Sequence, residues 1–231
     1  MKSLAKKKDY EILNNDNGLY KIVLNGVCIK TPKGNSIDLP NLKSAKLLVK
    51  RLKKNNKNKI IDEIKITYTA IDKVALNKQK YIKEVLQVLS TDTIVFISDN
   101  QKKLYSKQKK YWEPLILWIN EKFDLDLKHT SNLQIQNYSL DKNRLLNSYI
   151  NKFSIYELSA LISLTSLTNS LIISIALIES KINYNQAFRF SFLEELFQAS
   201  IWGKDKEAYS RLNSIKLDIK LVKYYFDSIK Y

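Results

Sequence analysis

The run Leu158-Ser-Ala-Leu-Ile-Ser-Leu-Thr-Ser-Leu-Thr-Asn169-Ser-Leu-Ile-Ile-Ser-Ile-Ala-Leu-Ile178 contains no charged residue in its 21 positions. That is the length of a membrane span. Eight of its residues are Ser, Thr or Asn. Leu161, Leu164, Leu171, Ile175 and Ile178 recur at helical spacing, with Ser and Thr between them. Asn169-Ser170 supplies a break, because Asn tolerates the left-handed conformation and Ser caps a new helix. The pattern favours a pair of core helices over a span.

Downstream lies Ser191-Phe-Leu-Glu-Glu-Leu-Phe-Gln-Ala-Ser-Ile-Trp-Gly-Lys-Asp-Lys-Glu-Ala208. Glu195, Gln198 and Trp202 are spaced three and then four apart, which places them on one helical face. Phe190, Leu193 and Phe197 fall on another, apolar face. Gly203 is the residue to end this helix in the left-handed conformation, and Asp205 can cap the next. Spacing alone does not separate a partner-binding stripe from ordinary packing of Trp202 in a core, since Trp is enriched in both settings.

Upstream, helical periods are expected at Lys102–Lys122, with Pro114 as a kink or a first turn, and at Asp141–Asn151 and Ile155–Thr168. Beyond the break they continue at Ser170–Lys181, Tyr184–Trp202 and from Asp205 onward. A short strand is possible at Leu133–Tyr138. The N-terminal part reads differently. Tyr20–Leu24 and Val27–Ile29 flank Asn25-Gly26, a type I′ hairpin signature. Pro32-Lys-Gly34 marks a second turn, leading to a strand at Ser36–Leu39. A helix follows from Asn41, with Leu42, Ala45, Leu48, Val49 and Leu52 at helical spacing. It ends in a solvated polar run, Lys53–Asn58. One or two helices over Ile64–Leu89 bury Ile71, Val74, Ala75, Ile82, Val85, Leu86 and Leu89. Thr93–Ile97 reads as a buried strand. The expected fold is α+β: a small N-terminal antiparallel β-meander with helices over residues 1–98, then an all-helical C-terminal domain over residues 99–231.

The apolar fraction of 45% suits a globular chain with a sizeable core. The formal charge of +16 allows a basic nucleic-acid-binding module as an alternative function. Only Arg51, Arg144, Arg189 and Arg211 can make planar, bidentate phosphate contacts, however. The abundance of Lys, Asn and Ile marks compositional drift. Cys28 is the sole cysteine, so neither an internal disulfide nor a cysteine zinc site can form, and a small buried side chain is expected there. His129 is the sole histidine, in a polar connection that reads as surface. Phosphate-loop, dinucleotide, HExxH and GxSxG motifs are missing from the sequence. Glu194 and Glu195 diverge by about 100° on a helix and cannot form a tight dyad. These observations point away from an enzyme, a metal and a cofactor. The basic N-terminus lacks an apolar core, so no secretory signal is expected.

Glu195-Leu-Phe-Gln198 followed by Trp202-Gly-Lys-Asp205-Lys-Glu207-Ala208 resembles the signature of the ATP synthase assembly chaperones that escort the alpha subunit of the catalytic head. The resemblance extends to Leu24-Asn-Gly-Val-Cys-Ile-Lys-Thr-Pro32, Thr69-Ala-Ile-Asp72, Thr91-Asp92, Leu104 and Gln108 with Trp112-Glu-Pro-Leu115 and Trp118, and Ser170 through Ala176. Asn25, Val27, Cys28 and Asn169 depart from the family pattern, and its Glu-Trp-Asp segment is not visible around Lys50–Asn58. The resemblance implies a non-catalytic, monomeric chaperone of the bacterial cytoplasm, or of the mitochondrial matrix in a eukaryote, that binds the free alpha subunit. It implies that Glu195 is the key acidic residue, with Gln198, Trp202 and Asp205 beside it in the partner-binding site. Trp202 and Gly203 would then frame Glu195. No cofactor, nucleic acid or membrane span is implied.

Overall fold

A computed structural model describes residues 9–54, 62–131, 143–203 and 205–230. The chain begins with a three-stranded antiparallel sheet, β1 (Tyr10–Asn14), β2 (Tyr20–Leu24) and β3 (Val27–Cys28), in that spatial order. Asn25 and Gly26 both have positive φ, 50° and 81°, as the β2–β3 turn requires. Leu24 pairs with Val27 across it. The next turn closes through the Gly34 amide, which donates to the Thr31 carbonyl at 2.8 Å. Ser36 and Leu39 join the sheet only through isolated bridges, to Lys30 and Tyr20, and not as a continuous strand.

Helices follow: α1 (Leu42–Lys54), α2 (Glu63–Asp72), α3 (Lys78–Gln87), α4 (Lys102–Phe123), α5 (Arg144–Asn151), α6 (Ile155–Thr168), α7 (Leu171–Ile178), α8 (Tyr184–Ser191), α9 (Leu193–Trp202) and α10 (Lys206–Ile229). The uncharged run is α6 and α7. Asn169 has φ 50°, and the Ser170 hydroxyl accepts from the Ile173 amide at 3.0 Å. The chain therefore breaks and restarts at the two residues suited to it. α6 lies at the centre of the molecule, packed on α2, α7 and α10. Every residue of α7 is buried.

Most of the polar residues of this run are buried, with Ser166 and Asn169 exposed. Ser159, Thr165, Thr168, Ser170 and Ser174 are buried. The Thr168 hydroxyl donates to the Leu164 carbonyl at 2.9 Å, and the Ser174 hydroxyl to the Ser170 carbonyl at 2.8 Å. Ser159 reaches across to the Ile66 carbonyl on α2 at 2.8 Å. A hydroxyl bonded to a preceding turn is nearly free of desolvation cost, which is how α7 can be buried all round and still carry Ser174; Thr165, by contrast, buries its hydroxyl with no hydrogen-bond partner among the described residues. Among the described residues, no helix is long and apolar enough to cross a membrane.

Buried polar contacts connect segments distant in sequence. Asp72, closing α2, accepts from the Thr31 hydroxyl at 2.6 Å and the Asn35 amide at 2.7 Å. Desolvation opposes its charge, but these hydrogen bonds, with Lys33 nearby, hold the carboxyl below its usual range. Asp92, fully buried, accepts from the amides of Ile94 at 3.3 Å and Ile172 at 3.1 Å. Burial pushes its pKa up to about 6, against the hydrogen bonds from Ser170 and from the amides at the start of α7. Thr93 also donates twice to the Asn169 carbonyl.

Several local expectations give way. Thr93–Val95 is a 3₁₀ turn, and only Phe96 bridges, to Thr130. The β-branched composition argues for a strand, but Asp92 captures the Ile94 amide and turns the chain. Pro114 sits inside the continuous helix α4, neither at its start nor at a break. Tyr184–Trp202 is two helices, divided at Phe192. The Phe190 carbonyl, which a continuous helix would offer to the Glu194 amide, accepts from the Trp112 indole at 3.1 Å. Cys28 is exposed, because β3 lies at the sheet edge with both residues outward. Ala75 is exposed beside buried Val74, in a 3₁₀ turn that breaks the helical period. His129 is half-buried, and desolvation lowers its pKa. The polar run after α1 begins within that helix at Lys53 and Lys54, and its remainder lies outside the described residues, as does Leu133–Tyr138.

Candidate partner-binding site

The α9–Gly203–α10 elbow gathers all the residues of the stripe. α9 is anchored to the body through α4 and α8. Leu193 and Phe197 are buried on its inner side. Gln108 of α4, itself fully buried, donates to the Glu194 carboxylate at 2.6 Å and accepts from the Ser98 amide at 2.9 Å. Glu194 is thus a structural acceptor, while Glu195, one position on, faces the elbow. The helical divergence anticipated for this pair is what separates their tasks.

At the elbow, Gly203 has φ 95° and ψ 167°. The positive φ is as anticipated, but the ψ is extended and not left-handed helical, a conformation essentially reserved for Gly. Asp205 caps α10, its carboxylate accepting from the Ala208 amide at 2.8 Å. Glu195, Leu196, Gln198, Trp202, Asp205 and Tyr209 line a cleft of about 330 Å³ with Leu212 at its floor. The sequence therefore brings Glu195, Gln198, Trp202 and Asp205 to one place.

Trp202 is 82% exposed, so it is neither core nor buried frame. Its indole donates to Gln198 at 3.1 Å, which fixes the ring along the outer face of α9. Tyr209, 53% exposed, lines the same cleft, and Ile201, beside Trp202 in α9, is 54% exposed. Exposed aromatic surface with a few oriented polar groups is the anatomy of a protein-docking patch. Glu195 does not stand alone: Arg211 of α10 pairs with it across the elbow. Both side chains are substantially exposed, so the pair is worth about 0–1 kcal/mol and exchanges readily for another partner. Arg211, Ile201 and Tyr209 were not singled out from the sequence. The only signal for Arg211 is its rarity, an Arg in a chain that otherwise uses Lys. Among the described residues, no cluster of His, Cys, Asp or Glu could hold a metal ion.

Fold and elbow together define an α+β protein with an exposed, partly apolar cleft at the α9–α10 elbow. The profile of the ATP12 chaperone protein family matches residues 5–120, and the chain belongs to that family, the assembly chaperones of ATP synthase that its sequence resembles. A putative chaperone from Agrobacterium tumefaciens superposes with a TM-score of 0.90 at 23% identity, covering 97% of this chain and 85% of its own. Atp12 from Paracoccus denitrificans gives 0.83 at 23% identity, covering 96% of each chain. The mitochondrial protein atp12 of Schizosaccharomyces pombe is 22% identical over 214 residues, 84% of this chain and 72% of its own. The profile match ends within α4, so the elbow lies beyond it.

Proposed function

We propose that the protein binds the free alpha subunit of the ATP synthase catalytic head and holds it, through the α9–α10 elbow, until assembly. The observation that carries this is the exposure of Trp202 beside the exchangeable Glu195–Arg211 pair. A buried tryptophan would leave the family signature a packing motif. An exposed one gives it a surface to work with. In the bound state Trp202, Ile201 and Tyr209 cover apolar surface of the client. Glu195 leaves Arg211 for a cationic group or backbone amides of the client, in charge-assisted hydrogen bonds. Gln198 and Asp205 hold the geometry from either side of Gly203. An exposed ion pair contributes specificity more than bulk affinity, which suits a partner that must be released. In this reading the protein acts as a monomer, catalyses no reaction, requires no cofactor and works in the bacterial cytoplasm or its mitochondrial equivalent.

The test is Glu195→Lys, with Glu195→Gln as the neutral variant, in binding to purified alpha subunit free of beta subunit. The lysine variant sets two cations against each other at the elbow. It should lose at least tenfold in affinity while its melting temperature moves by only a few degrees, because the lost pair is exposed. Unchanged binding by both variants would refute the role of Glu195.

A further inference from the structure

We infer that the groove between α1 and α10 is a second docking surface, and that it takes an acidic segment of a protein partner with apolar residues on one side. α1 reads Leu-Lys-Ser-Ala-Lys-Leu-Leu-Val-Lys-Arg-Leu-Lys-Lys and contains no acidic residue. Lys43, Lys46, Lys50 and Lys54 are spaced three, four and four apart, so they form one exposed stripe about 16 Å long. Like charges at this spacing each destabilise a helix by about 0.2–0.5 kcal/mol. Several lysines elsewhere are offset. Lys80, Lys109, Lys122 and Lys223 are paired with carboxylates, and Lys107, Lys216 and Lys220 lie over aromatic rings. On the stripe, Lys43 reaches only the Asp227 backbone carbonyl, at 2.9 Å. Lys46, Lys50 and Lys54 have no ion pair or ring contact among the described residues.

The stripe borders two adjoining clefts of about 530 and 150 Å³ that share Leu47, Lys50 and Tyr224. Leu42 and Leu47 line them on the α1 side, and Tyr224, 56% exposed, on the α10 side. An apolar and aromatic floor with a charged rim is the anatomy of a peptide groove. Three features favour a carboxylate-bearing protein segment over nucleic acid. The stripe offers four cations, fewer than the roughly six to ten phosphate contacts of a strongly salt-dependent nucleic-acid binder. The arginine beside it, Arg51, donates its Nε to Glu63 at 2.6 Å, and with a side chain only 11% exposed it offers little to a phosphate. The apolar lining is mostly leucine, with Tyr224 its only aromatic, which is short of the row of rings on which successive bases stack.

The probe is a fluorescein-labelled twelve-residue peptide of repeated Glu-Glu-Leu, titrated in anisotropy against the full chain. A peptide with Lys for Glu, single-stranded DNA of equal charge and phosphatidylglycerol vesicles serve as comparisons. The Glu peptide should bind, weaken with salt and lose about tenfold with Lys46→Glu/Lys50→Glu, equivalent to about 1.4 kcal/mol. Glu195→Lys should leave this binding intact, which separates the groove from the elbow. The groove assignment is overturned by absent peptide binding, by undiminished binding to the double variant, or by tighter binding of DNA or vesicles than of peptide.

Discussion

Replacing Asp92 with Asn should remove a pH dependence that the fold builds into its centre. Asp92 is fully buried between the 3₁₀ turn it caps and the start of α7, and its pKa rises from 3.8 in the unfolded chain to about 6. Between those values the folded chain holds more proton than the unfolded one. The favourable contribution of the neutral carboxyl is therefore complete below about pH 4 and disappears as pH rises through 6. A shift of about two units corresponds to roughly 3 kcal/mol, of which about 2 kcal/mol falls between pH 4 and pH 7. Exposed carboxylates titrate in the same range, but they are common to parent and variant and cancel in the difference. Urea unfolding of parent and Asp92→Asn at pH 4, 5, 6 and 7 measures that difference directly. The parent should lose about 2 kcal/mol relative to the variant across the series, about 4–8 °C in melting temperature for a chain of this size. A difference that stays flat, or that grows in the parent's favour with pH, would show that the amides of Ile94 and Ile172 hold Asp92 ionised in the fold. The desolvation argument would then fail.

Trp112→Ala should cost about 3–5 kcal/mol in urea unfolding, because Trp112 is fully buried and the Phe190 carbonyl loses its donor. Asn169→Gly should leave stability within about 0.5 kcal/mol, since either residue accepts φ 50°, whereas Asn169→Val should lose about 1–2 kcal/mol from strain at the α6–α7 break. We propose residues 1–98 and 99–231 as units of organisation that fold together. The isolated fragment 99–231 would uncover the faces of α6 and α10 that pack on α1 and α2. It should keep helical circular dichroism yet bind a hydrophobic dye and melt without a sharp transition. A cooperative, dye-free melt would mark it as an autonomous domain.

Where local chemistry and packing agree, the fold could be read from the residues. Ile155–Thr168 is the helix expected, and Asn169-Ser170 breaks where a left-handed position and a cap coincide. The Asn25-Gly26 hairpin follows for the same reason, because one dipeptide dictates both dihedrals. Misreadings occur where a distant group decides. Trp112 takes the carbonyl that would carry α8 through Phe192, from a position 78 residues away. Asp92 turns a strand-like run because its carboxylate serves two segments. β1 is not legible in the sequence, because Tyr10–Asn14 has only one clear alternation and depends on β2 for its pairing. At the site, helical spacing brought Glu195, Gln198 and Trp202 together, but it carries no information on which way that face turns. The exposure of Trp202 and the approach of Arg211 depend on how α10 folds back from Gly203.

The edge position of β3 has a practical consequence. Cys28 is the chain's only cysteine, and it is exposed on the sheet, on neither α9 nor α10. One maleimide dye would therefore attach at one defined place on each molecule, with no engineered thiol and no competing site. The native chain thus already carries an attachment point from which client capture and release can be followed by fluorescence while the elbow and the lysine groove keep their own side chains.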